Sequence, residues 1–198
     1  MAKQTVLIIG NGSKDMDVSK ALNSFVLVQG FNLSSVMPAY HLRKCTDLWL
    51  VGRGKQGAML RAAFPDIDIT QLKNVMITDP KPNLFTQPFY KLINRRGCID
   101  HGDEIIRKYS PRANVSRIAQ HDKTALLKHL YTFGKPAFKA KTPSSGMLAI
   151  EHFLKQQAQV HIIGFGFKGW KRHPWDLEKQ YVASLIAKQK VQLLKSPS

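Results

Sequence analysis

The sequence predicts an α/β fold, a single domain over residues 1–198 with a mainly parallel sheet flanked by helices. Three observations carry that reading. Short apolar runs alternate with stretches of helical periodicity along the whole chain, as strands joined by crossover helices do. Three of the runs end directly in glycine-rich loops: Thr5–Ile9 in Gly10–Ser13, Asp47–Val51 in Gly52–Gly57 and Val160–Ile163 in Gly164–Gly166. Finally, 198 residues at 43% hydrophobic content suffice for one sizeable core, and no internal repeat or interdomain linker stands out.

Thr5–Ile9 is the first strand, and Gly10-Asn11-Gly12-Ser13 leads from it to a helix over about Val18–Leu22. Glycine permits close backbone approach, while free N–H groups and the Asn11 and Ser13 side chains offer hydrogen bonds, so the loop suits a phosphate or a ribose. It suits an ordinary tight βα turn equally well. Phe25–Val28 is a second strand ending in Gly30-Phe31-Asn32, which puts Asn32 at the same strand-end edge as Asn11, as a ligand contact or a turn former. After the third strand, Gly52-Arg53-Gly54-Lys55-Gln56-Gly57 matches G-x-G-x-x-G, a helical run Ala58–Ala63 follows, and Asp79 closes the next apolar segment, Val75–Ile77. That is the context of a dinucleotide fingerprint. Its position on a third strand and the basic Arg53 and Lys55 argue instead for an exposed loop.

Asp79-Pro80-Lys81-Pro82-Asn83 is a loop, because each proline turns its preceding residue away from helix. A helix is expected over Leu84–Asn94, interrupted near Pro88, then a turn at Arg95-Arg96-Gly97. His101 and Asp103 precede a helix over Glu104–Tyr109; without a third ligand at metal spacing, a capped turn explains them best. Asn114–Ile118 reads as a buried strand. Asp122 is placed to cap a helix over Lys123–Phe133 with Ala125, Leu126, Leu130 and Phe133 inward, leaving His121 and His129 structural or exposed.

Pro143-Ser144-Ser145-Gly146 opens another helix, with serine as N-cap and Met147, Ile150, Phe153 and Leu154 on its buried stripe. Val160–Ile163 and Gly164–Gly166 follow, then a basic loop, then His173-Pro174-Trp175-Asp176-Leu177-Glu178 entering the last helix. A helix N-terminus and a glycine-ended strand thus point at one crevice, where ligands bind in open α/β sheets.

Thirty Lys+Arg against thirteen Asp+Glu give a net charge of +17. Nucleic acid, an anionic membrane surface or an acidic glycan would each exploit it. The charge is spread along the chain, without a low-complexity tail, an RNP motif or zinc-finger spacing, which makes nucleic acid the less favoured partner. No apolar run reaches the roughly eighteen residues of a membrane span. Cys45 and Cys98 show no metal spacing and need not pair, so a reducing cytosol is the simplest compartment.

Together these pieces resemble the sialyltransferases of the eukaryotic type, the family defined by large, small and very small sialylmotifs. Ile8-Ile9-Gly10-Asn11-Gly12-Ser13 with Phe25-Val26-Leu27-Val28 and Asn32 is similar to the large motif. Pro143-Ser144-Ser145-Gly146-Met147 with Val160-His161-Ile162-Ile163-Gly164-Phe165-Gly166 is similar to the small motif, and His173-x4-Glu178 to the very small one. The resemblance covers about half the chain. It implies a Rossmann-like domain of the modified GT-A type, metal-independent and without a cofactor. It also implies inverting transfer of a keto-acid sugar from CMP-sialic acid or CMP-Kdo to a glycan such as lipopolysaccharide or capsule. By position, Asn11, Gly12, Ser13 and Asn32 would contact nucleotide and phosphate, and Ser144, Ser145 and Gly146 the donor's ribose or carboxylate. His173 would be the general base, with Glu178 supporting it.

The family's His-Tyr-rich third motif is absent, and Lys168-Gly169-Trp170 occupies a shortened gap. Facing the leaving phosphate would therefore fall to Lys168, Trp170 or Lys171. Lys168, Lys171 and Arg172 would also hold the His173 pKa down by like charge. The arginine that precedes Asn32 in the family is replaced by Gln29-Gly30-Phe31, and the family's paired cysteines, anchor and stem have no counterparts here. These departures suit a cytoplasmic enzyme, and the basic surface would dock it at the anionic inner membrane face. They equally suit a non-catalytic or basic nucleic-acid-binding protein on a degenerate nucleotide-binding fold, the alternative reading.

Overall fold

The computed structural model describes residues 4–12, 25, 27–31 (backbone only), 44–62, 71–83 and 85–194. Seven strands form one sheet: β1 (Thr5–Ile9), β2 (Leu27–Phe31), β3 (Asp47–Leu50), β4 (Asn74–Ile77), β5 (Asn114–Arg117), β6 (Gln159–Ile163) and β7 (Val191–Leu193). Their order is β5-β4-β3-β2-β1-β6-β7, and every neighbouring pair is parallel. Six α-helices stand among the described residues: α1 (Gly54–Ala62), α2 (Thr86–Leu92), α3 (Gly102–Tyr109), α4 (Gln120–Leu130), α5 (Ser145–Lys155) and α6 (Trp175–Ala187).

The chain steps outward from β1 to β5 and then crosses back to lay β6 on the other side of β1. Right-handed crossovers put the helices of those two halves on opposite faces. Two cores follow. Leu48, Leu50, Val75 and Ile77 pack with Leu60 of α1 and Ile105 and Tyr109 of α3. Val6, Ile8, Trp49, Val160 and Ile162 pack with α4, α5 and α6 through Leu126, Leu130, Met147, Ile150, Phe153, Leu177 and Val182. A strand covered on both faces reads as an unbroken apolar run, and Val6, Leu7 and Ile8 of β1 are all wholly buried.

Several boundaries differ from the sequence reading for identifiable reasons. β2 continues through Gln29-Gly30-Phe31, because neighbours on both sides supply ladder partners beyond the apolar run: Ile8 pairs with Gln29, and Trp49 with Phe31. α2 runs through Pro88 without a break. Pro88 is its third residue, where the missing N–H has no intrahelical acceptor to lose. β5 lies at the sheet's edge and is half-exposed, so it is not the buried strand expected. α4 starts at Gln120, not after Asp122, and Asp122 pairs with Lys155 instead of capping. His121 is exposed, and His129 packs edge-on against Phe133 and Tyr181. β7 was not anticipated; of its three residues only Val191 is buried, too little for a pattern. The helix expected at Val18–Leu22 lies outside the described residues.

Candidate functional site

The topology reverses between β1 and β6, and at such a switch point the strand ends leave a crevice. Here the two loops meet over it. The Gly10 N–H donates to the Ile163 carbonyl and the Gly12 N–H to the Gly164 carbonyl, each at 2.8 Å. A Cβ on Gly12 would lie 2.6 Å from the Gly166 nitrogen, so side chains are excluded by the facing backbone. The Gly12 N–H is therefore spent inside the protein, and the exposed Asn11 side chain is this loop's outward hydrogen-bonding group. Ser13 and Asn32 lie outside the described residues.

The α5 N-terminus forms a second wall. Ser144 is its N-cap, with Oγ accepting from the Met147 N–H at 3.2 Å. The same hydroxyl donates to Glu178 Oε2 and the Ser144 N–H donates to Oε1, both at 2.7 Å. Glu178 is fully buried in the first turn of α6, and burial pushes its carboxyl up to about 7 against the two Ser144 hydrogen bonds that favour the ionised form. Ser144 is thus consumed in joining α5 to α6. Half-buried Ser145 makes no side-chain hydrogen bond among the described residues and, with the first-turn N–H groups, is what this wall offers a ligand. Gly146 serves packing: a Cβ there would stand 2.6 Å from the Phe165 ring.

His173 is fixed on three sides. Its Nδ1 lies 2.9 Å from the Thr142 carbonyl, which can only accept, so Nδ1 carries the proton and Nε2 keeps its lone pair. The ring sits edge-on between Trp170 and Trp175, with both centroids 5.0 Å away. The Trp170 carbonyl accepts from the His173 N–H and from Trp175 Nε1, which ties the loop to α6. Burial holds the His173 pKa below 6.5, opposed by the Thr142 hydrogen bond and helped by the charge of Lys123. The like charge thus comes from α4, and not from Lys168, Lys171 or Arg172, which are exposed. Lys123 is a residue the sequence did not single out; its Nζ donates to the Thr78 carbonyl at 2.9 Å and lies 3.8 Å from Asp79. Trp170 packs on His173 while remaining 56% exposed.

The G-x-G-x-x-G loop is filled by the protein itself. Asp79 Oδ2 accepts from the Gly52 and Arg53 N–H groups at 2.9 and 3.2 Å, the position a pyrophosphate would need. The His101 N–H donates to the Gly52 carbonyl and the Gly54 N–H to that of Ile99, closing the loop from above. His101 and Asp103 belong to the turn that starts α3, but His101, its N-cap, makes no side-chain capping hydrogen bond. Asp103 pairs with Arg117, which also grips the buried Asp100 through two hydrogen bonds of 2.8 and 3.1 Å. Asp100 and Arg117 escaped the sequence reading because neither lies in a motif.

No disulfide joins Cys45 and Cys98. Among the described residues no group of three or more His, Cys, Asp or Glu is placed to hold a metal, and no helix is long and apolar enough to cross a membrane. A cavity of about 410 Å³ opens between α4, α5 and the sheet beside Met76, Leu126 and His152, but it shares no residue with the crevice. The convergence of the strand ends, α5 and His173 is what locates the candidate site.

No protein-family model matches the chain, and no curated protein matches it in sequence. Among solved structures the chain is similar to a mammalian sialyltransferase, with a TM-score of 0.61, 11% identity, and coverage of 99% of this chain and 70% of that one. It is also similar to a mammalian sialyltransferase in complex with Gal-beta-1-3GalNAc-ortho-nitrophenol, with a TM-score of 0.60, 12% identity, and coverage of 100% and 71%. The Rossmann-like α/β fold with a mainly parallel sheet that the sequence predicts is borne out, and these sialyltransferase structures share it. At this identity the likeness is one of fold.

Proposed function

We propose that the protein is a glycosyltransferase that passes a keto-acid sugar from a CMP-activated donor, CMP-sialic acid or CMP-Kdo, to a glycan acceptor. The observation that carries the reading is the placement of His173 at the edge of the crevice: Nδ1 lies 2.9 Å from the Thr142 carbonyl, so that the neutral ring presents Nε2 as its free acceptor, and two tryptophans clamp the ring. An in-line displacement with inversion needs a base of near-neutral pKa, and a neutral, oriented imidazole meets that need. In this scheme His173 Nε2 takes the proton of an acceptor hydroxyl as its oxygen bonds to the anomeric carbon. The bond from that carbon to the CMP phosphate breaks with its electron pair staying on CMP.

The donor's anionic groups would lie across the strand ends. Asn11, together with Ser13 and Asn32, would serve the nucleotide, while Ser145, Gly146 and the α5 N-terminus would serve the carboxylate or ribose. Gly12 and Ser144 would contribute by shaping the walls. Charge building on the leaving phosphate would meet Lys168 or Lys171, whose exposed side chains flank the crevice loop, with Trp170 holding the base. Chemistry through these groups requires neither a metal nor a cofactor. Calorimetric titration with CMP, CDP, UDP and NAD tests the reading. Selective binding of CMP is expected; binding of NAD without CMP overturns it.

A further inference from the structure

α2 and its two flanking residues carry an apolar stripe that no other described residue buries. Phe85 is 88% exposed, Phe89 55%, Leu92 84% and Ile93 47%, and no residue of α2 is buried. These positions are spaced i, i+4, i+7 and i+8, one face of a helix. Exposed apolar residues scattered singly need no explanation, whereas four on one helical face mark an interaction surface.

The charge around the stripe selects the partner. Between Asp79 and Asp100 the chain has no acidic residue and four basic ones, Lys81, Lys91, Arg95 and Arg96. Arg95 reaches back over the Tyr90 ring, 5.8 Å from its centroid, so a cation stands beside the apolar face. Apolar residues rimmed by cations fit a bilayer interface, where the stripe enters the acyl boundary and the basic groups meet anionic headgroups. A hydrophobic protein groove would give the four cations no matching charge.

The position of α2 makes such docking productive. Gln87 anchors the segment at the carboxyl ends of β3 and β4: its Oε1 accepts from the Asp100 N–H at 2.8 Å, and Asp100 bridges to Arg53. The sheet is all parallel, so α5, which leads into β6, begins at the same carboxyl edge, and His173 is held there by the Thr142 carbonyl just ahead of it.

From these observations we infer that residues 85–98, with Lys81, form a docking element for an anionic lipid bilayer, which turns the His173 edge of the sheet toward the membrane surface. The surface goes beyond the donor-site reading and does not depend on it.

Co-sedimentation of the full chain with vesicles tests it. Binding is expected to phosphatidylcholine vesicles containing phosphatidylglycerol, to weaken with salt, and to be far weaker on phosphatidylcholine alone. Phe85→Ser with Leu92→Ser, and separately Arg95→Ala with Arg96→Ala, should each lower the partition coefficient by about tenfold or more. Because α2 contributes nothing to the cores, both variants should keep the thermal midpoint and the CMP affinity of the parent. Equal binding by parent and variants, or no binding to anionic vesicles, overturns the inference. So does a self-association in sedimentation velocity that Phe85→Ser with Leu92→Ser abolishes while vesicle binding persists. Vesicle binding without CMP binding sinks the donor-site reading alone, and CMP binding without vesicle binding sinks the docking surface alone.

Discussion

Glu178 holds Ser144 with both carboxylate oxygens, one on the serine N–H and one on its hydroxyl, each at 2.7 Å. A single side chain of α6 thereby fixes the N-terminus of α5, and with it the wall of the crevice that faces a ligand. Glu178→Ala strands a buried serine N–H and hydroxyl, so a loss of about 3 kcal/mol is expected in denaturant unfolding. Glu178→Gln preserves the shape and should cost far less.

The same carboxyl makes stability depend on pH with a definite sign. Its pKa rises from 4.5 unfolded to about 7 folded, so the folded state holds a proton that the unfolded state has released across that window. Stability from this group is therefore greatest below 4.5 and is lost as pH rises toward 7, by on the order of 3 kcal/mol. Comparing the parent with Glu178→Gln between pH 4.5 and 8 isolates it. An equal slope in both proteins would assign the pH dependence elsewhere.

His173 gives a kinetic prediction of the opposite direction. Burial lowers its pKa below 6.5, so the base-competent neutral form persists to lower pH than an ordinary histidine allows. The acidic limb of kcat should have its inflection below 6.5, with activity lost as pH falls through it. His173→Ala should reduce transfer by about a hundredfold or more while CMP affinity stays within a few-fold. Retained activity would remove His173 from the chemistry.

The crevice also depends on the absence of side chains. In Gly12→Ala the new methyl meets the Gly164 carbonyl and the Gly166 nitrogen, so the two loops must part and the Gly12–Gly164 hydrogen bond is lost. A cost of about 1–3 kcal/mol is expected, together with weakened CMP binding. Asn11→Ala leaves the backbone contact intact and should weaken CMP binding with no change in thermal midpoint.

The strand–helix alternation, the Ser144 cap and the position of His173 before α6 were legible because each depends on neighbours within one turn or one strand. What stayed hidden depends on pairs remote in sequence. Nothing near Ser144 shows that Glu178 will use both of its donors, nothing near Gly12 shows that the Gly164 carbonyl will take its N–H, and the charge of Lys123 bears on His173 only through the fold. Local pattern also misled where tertiary pairing overrode it. Gln29-Gly30-Phe31 reads as a loop yet is central strand, since β1 and β3 hold it on both sides.

The clearest such case is the G-x-G-x-x-G loop, which yields the last prediction. Asp79, expected in a dinucleotide reading to meet a ribose, accepts from the Gly52 and Arg53 N–H groups at the start of α1. A carboxylate at a helix N-terminus is stabilised by the same donors and dipole that would hold a phosphate, so the two compete for one place. The side chain is tethered and a nucleotide is not, and the intramolecular anion wins. NAD and NADP should therefore leave the thermal midpoint of the parent unchanged at millimolar concentration. Asp79→Asn keeps an acceptor but removes the charge opposite Lys123, and should lower stability by about 1–2 kcal/mol. In Asp79→Ala the freed N–H groups, with Arg53 and Lys123 beside them, form an anion site that the parent lacks. Inorganic phosphate should then raise the midpoint of Asp79→Ala and not that of the parent; equal shifts in both would show that the loop was never occupied by its own aspartate.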